Sequence, residues 1–158
     1  MNILTVNLVL STLVFWIAAR IYVVPRLSLW EPQAVLVPIL LLHSMRHLGL
    51  MFLAQGATLP GIPLEFAYPA AFGDLLAAVL AMVTILTRLP RALLWAFNVV
   101  GTVDLVAAIT LATIYGAPDF MGPAYWIPAF WVPALLVTHY LTFLILAKNE
   151  KSPAPAAG

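Results

Sequence analysis

Residues 33–54 read QAVLVPILLLHSMRHLGLMFLA. A helix of about 20 apolar residues crosses the hydrocarbon core of a bilayer, so this run is long enough to span. Inside it stand His43, Arg46 and His47. A charged group at the centre of a membrane helix costs on the order of 2.5–3.5 kcal/mol on insertion scales, so a chain that keeps such groups needs partners for them inside a bundle. The helix is therefore expected to turn its polar side chains toward other helices.

Reading outward, four further runs have the same length and character. With the first they give expected spans of about 3–24, 33–54, 69–89, 91–115 and 128–147. Proline and glycine punctuate the gaps, as at Pro25, Pro32, Gly56, Pro60, Gly61, Pro63, Pro90, Gly116, Pro118, Gly122 and Pro123. The run from residue 3 carries no basic residue before its apolar core and is longer than a signal-peptide core, so it is expected to remain as a span. The expected fold is an all-α integral membrane protein. It is a five-transmembrane-helix bundle over residues 1–147, with a disordered tail at 148–158.

Composition supports that class. Of 158 residues, 64% are hydrophobic and 8% charged, against about 25% charged in a soluble domain. A formal net charge of +1 supplies no basic stripe for nucleic acid. Cysteine is absent, which excludes disulfides, thiol chemistry and thiolate metal ligands.

Arg20, Arg26, Arg88, Arg91, Lys148 and Lys151 flank alternate ends of the spans, whereas the second and fourth loops carry Glu65 and Asp119. Lys and Arg are retained on the cytoplasmic side. The expected orientation places the N-terminus outside and the C-terminus in the cytoplasm, in the plasma (cell inner) membrane. Trp30 and Trp95 toward one boundary, and Tyr115, Tyr125, Trp126 and Trp131 toward the other, fit interfacial belts. No internal repeat is visible, so the inverted halves of many transporters are not expected.

The polar residues of the spans are His43, Arg46, His47, Asp74, Asp104 and His139. At 1.5 Å per residue, His43, Asp104 and His139 fall roughly 16–18 Å from the outer helix ends, with His47 and Asp74 at about 8–10 Å. They are expected to form two adjacent layers of one pocket. His43 and His47 are four apart and share a face of an ideal helix. Ala70, Ala71, Ala77 and Ala78 around Asp74, and Gly101, Ala107 and Ala108 around Asp104, predict that both acids face other helices. Pro38 and Pro133 each precede a histidine and are expected to loosen the local helix. Asn98 reads as a packing amide and Glu65 as a solvated loop carboxylate.

Three readings follow. In the first, His43, His47, His139 and Asp104 are metal ligands for zinc or iron, with Asp74, Asp104 and Arg46 as catalytic groups of an enzyme acting on a lipid-like substrate. In the second, Arg46 pairs with Asp74 or Asp104 in a non-enzymatic network that is structural, relays protons or transports a small solute. In the third, two histidines hold a b-type haem for electron transfer. Membrane lipids and a lipophilic small molecule are the expected partners. The set Ser44, Asp74, Asp104 and three histidines resembles the polar inventory of the intramembrane metal-hydrolase superfamily that includes alkaline ceramidases and the progestin and adiponectin receptor family. The likeness lies in residue types, in a chain of five expected helices where those proteins have seven. It implies hydrolysis by a metal-bound water.

Overall fold

A computed structural model describes residues 3–150, with the side chains of 149 and 150 left aside. Among the described residues the regular structure is all helical, without strands. Five helices among these residues are long and apolar enough to cross a membrane: α1 (Ile3–Arg26), α2 (Pro32–Leu53), α3 (Leu64–Leu86), α4 (Arg91–Ile114) and α5 (Gly122–Lys148).

Two boundaries differ from the sequence reading. α3 begins at Leu64, and Pro69 lies inside it. Proline at this sixth position costs the helix the one backbone bond that residue 69 would donate, and the helix continues through it. Glu65 consequently sits exposed in the first turn of α3 and not in a loop. α5 begins with a 3₁₀ turn at Gly122–Tyr125 and a π turn at Ile127–Trp131, before regular α-helix from Val132 through Glu150. Pro128 and Pro133 cannot donate to the carbonyls behind them, which favours wider or tighter turns there. The expected tail thus starts in helix, and residues 151–158 lie outside the described residues.

α3 packs against α2 and α4, α5 packs against α4 and α2, and α1 leans on α5. The four later helices therefore close a ring, with α1 on its outside. Alanine dominates the inner face of α3, where Ala67, Ala71, Ala77, Ala78 and Ala81 are fully buried. Small side chains let helix backbones approach closely in lipid, where packing and hydrogen bonding hold helices together.

The two ends of the bundle differ in charge. At one, Lys148 Nζ donates to the Leu27 carbonyl at 3.5 Å and Arg91 to the Leu146 carbonyl at 3.4 Å. At the other, Leu59 N–H donates to the Phe120 carbonyl and Ala124 N–H to the Ala57 carbonyl, both at 2.8 Å. These two backbone bonds tie the second and fourth loops together.

α2 changes its screw at midspan, and this change positions the site. It is α-helical over Pro32–Ser44 and 3₁₀ over Met45–Leu53. A 3₁₀ helix has 3.0 residues per turn, so residues three apart eclipse. His43, Arg46, Gly49 and Phe52 are the buried residues of this stretch, at a period of three. His47, the fourth residue after His43, is turned out and exposed.

Candidate functional site

Arg46 is 1% exposed, and its guanidinium lies at the centre of the four-helix ring. Nε donates to Asp74 Oδ1 of α3 at 2.7 Å, and Nη2 pairs with Asp104 Oδ2 of α4. Nη1 donates to the Gly101 carbonyl at 3.2 Å and faces His139 Nε2 of α5 at 3.3 Å. One side chain of α2 therefore joins α3, α4 and α5. Arginine suits this position because its planar fork presents five fixed donors.

The hydrogen-bond directions fix the histidine tautomers. Arg46 only donates, so His139 Nε2 accepts and its ring proton is on Nδ1. That Nδ1 is 2.7 Å from Asn98 Oδ1, and Asn98 Nδ2 returns a bond to the His139 carbonyl at 3.3 Å. His43 Nε2 lies 2.9 Å from Thr138 Oγ1. The Thr138 hydroxyl has the carbonyls of Ala134 and Leu135 within 3.1 Å. With its proton given to a carbonyl, Thr138 accepts from His43 Nε2–H, and His43 Nδ1 becomes a bare acceptor. Among the described residues His43 Nδ1 has no partner, nor does the buried indole Nε1 of Trp131. The rings of His43 and His139 lie 4.3 Å apart, and Phe97 packs against both at 4.9 and 5.2 Å.

Three glycines give the cluster its space. A methyl group on Gly49 would overlap the Asp74 carboxylate, and one on Gly73 would overlap the Asp104 carboxylate. A Cβ on Gly101 would stand 2.6 Å from His139 Cε1 and 2.9 Å from Arg46 Nη1. Each glycine is the notch on one helix that receives the polar group of another. Gly49 follows Arg46 by three and Gly73 adjoins Asp74, so a signal for both was present in the chain.

Of the expected site residues, Arg46, Asp74, Asp104 and His139 meet directly, and His43 stands beside His139. His47 does not join them. It faces away, with Nδ1 3.0 Å from the Ser44 carbonyl. The expected layer of His47 beside Asp74 is thus not formed, because the 3₁₀ screw replaces the fourth residue by the third. Substituting His47 with Ala is expected to change stability by no more than about 0.5 kcal/mol, as for other exposed positions. A thermal melt of the purified variant checks this, and a large loss would place His47 in the network. Ser44 bonds to the Leu40 carbonyl of its own helix at 2.9 Å.

A metal does not fit this arrangement. Among the described residues no three His, Cys, Asp or Glu side chains form a group that could hold an ion. The position between Asp74, Asp104 and His139 is filled by the Arg46 guanidinium. A bis-histidine haem needs a macrocycle between its imidazoles, and the His43 and His139 rings are in contact.

Comparison with known proteins places residues 3–147 within one family model, described as a domain of unknown function (DUF8737). The chain belongs to that family. No curated protein and no solved structure matches it.

Proposed function

We propose that the protein is a non-enzymatic, proton-binding membrane protein, with Asp74, Arg46 and Asp104 as its proton site. One observation carries the reading: a single guanidinium is shared by two carboxylates within the bundle. One cation and two carboxylates sum to −1. An unbalanced charge in a low-dielectric interior is costly, and one bound proton brings the cluster to neutrality. Ionisable groups of this kind inside spans serve proton relays and proton-coupled carriers. His139 and Asn98 extend the hydrogen-bonded chain beyond Arg46 toward the end of the bundle that carries Arg91. The Asp74 and Asp104 side chains keep 10% and 13% of their surface accessible, so the acids are the members through which a proton exchanges.

The proposed setting is the cell inner membrane, with the N-terminus and the loops tied at Leu59 and Ala124 outside. The end carrying Arg26, Arg91 and Lys148 is then cytoplasmic, by the retention of basic residues on that side. A reporter fused after Lys151 is expected in the cytoplasm and one placed near Ile62 outside; the reverse pattern would overturn the orientation.

A structural latch is the competing reading, favoured by the way Arg46 ties three helices to its own. Infrared difference spectroscopy of the protein in liposomes across a pH step separates the two. The proton-site reading expects one carboxylic acid band to appear on acidification, and to vanish in both Asp74→Asn and Asp104→Asn, whose clusters are already neutral. A spectrum without that band in the folded wild-type protein leaves the latch.

A further inference from the structure

Phe66, Ala70 and Asp74 follow one another at four-residue steps along α3, and Leu105, Ala108, Ile109 and Ala112 line the facing side of α4. Between these faces lies a cavity of about 40 Å³. Its far end is closed by Met121, Ile127 and Pro128, from the turns that follow α4. Among the described residues Asp74 is the one ionisable group in its wall. The cavity exists because alanines at 70, 108 and 112 leave a gap where larger residues would interlock. The α3 residues that line it, from Phe66 to Asp74, cover about 12 Å of helix rise. On the other side of Asp74, Ala77, Ala78, Ala81 and Phe97 are fully buried.

We infer that this cavity is the path by which water and protons reach the Asp74–Arg46–Asp104 cluster, and that it opens only toward the end where the second and fourth loops are tied. The inference deepens the proton-site reading and rests on it. The volume exceeds the roughly 10–15 Å³ that a cavity needs to hold a water. Its walls are apolar apart from Asp74, so a file of water finds partners in itself and in the carboxylate. Hydrophobic constrictions of this sort gate by dewetting. Met121 and Ile127 are the plug: both line the cavity and both are buried. Met121 stands between the 3₁₀ turns Ala117–Phe120 and Gly122–Tyr125, which are held to the second loop through Phe120 and Ala124, and Ile127 opens the π turn that follows.

The absence of cysteine makes the chain its own background for a test. Ala108→Cys and Ala112→Cys each place one thiol in the cavity wall, and Val103→Cys places one on the outward face of α4, where Val103 is 62% exposed. Silver ion, as nitrate in chloride-free buffer, replaces the thiol proton to form an S–Ag bond. Thiols it has reached then resist alkylation by a polymer-linked maleimide after unfolding, and lose their gel shift. The expected result is loss of the shift at 108 and 112 with silver on the loop face of oriented vesicles. The shift should persist with silver on the opposite face, and at 103 with either. Protection from the opposite face, from both faces or from neither overturns the path, as does equal protection at 103, which would mean access through the lipid side. Only protein that keeps the wild-type melting transition is scored, and two cavity positions guard against loss of either variant. Silver access does not depend on proton binding. A failed access pattern with an intact infrared band therefore removes the path and leaves the proton site.

Discussion

Replacing Arg46 with Met is expected to cost about 3–5 kcal/mol of stability, because it leaves two carboxylates in the bundle without their shared cation. The guanidinium also donates to the Gly101 carbonyl and to His139 Nε2, and both lose their donor in the same change. Asp74→Asn and Asp104→Asn alone should cost less, since Arg46 keeps the other acid in each. A triple variant, Arg46→Met with both acids changed to Asn, should recover much of the loss, because neutral groups of similar volume often replace a buried ion network at little cost. Thermal melts in detergent, followed through the tryptophans, give the order. An Arg46→Met protein as stable as wild type would mean that the cluster does not hold α2 to α3, α4 and α5.

The second large effect is expected at Gly73. In a helix interior, changing Gly to Ala ordinarily stabilises by roughly 0.5–1 kcal/mol. Here the new Cβ would overlap the Asp104 carboxylate, so the sign should reverse. Overpacking of this kind costs typically about 1–3 kcal/mol, and displacing Asp104 from Arg46 adds the loss of an ion pair. Gly49→Ala should act similarly through Asp74. The two changes strain one network, so together they should cost less than the sum of their separate effects. A stabilised Gly73→Ala protein would show that α3 and α4 are not in the close contact described.

How the cluster is assembled explains which parts of it were legible in the chain. Apolar runs of bilayer length depend on composition and length alone, and these are properties of the sequence; five spans follow from them. The same holds for the need of Arg46, Asp74 and Asp104 to find partners, since an isolated charge in hydrocarbon is costly wherever it sits. The small residues beside both acids likewise pointed to close helix contacts.

Which polar residues actually meet was decided by the tertiary structure. His43 and His47 share a face only at 3.6 residues per turn, and α2 abandons that pitch after Ser44. At three residues per turn Arg46 takes the inward place and His47 leaves it. Pitch over nine residues is set by packing against α3, because it aligns Arg46, Gly49 and Phe52 on the face that meets Asp74 and Phe66. The glycine notches have the same origin: Gly73 matters because Asp104 of another helix fills the space above it. Chain composition thus determined that a charged centre must exist within five spans, while the screw of one helix and the fit of three glycines chose its members.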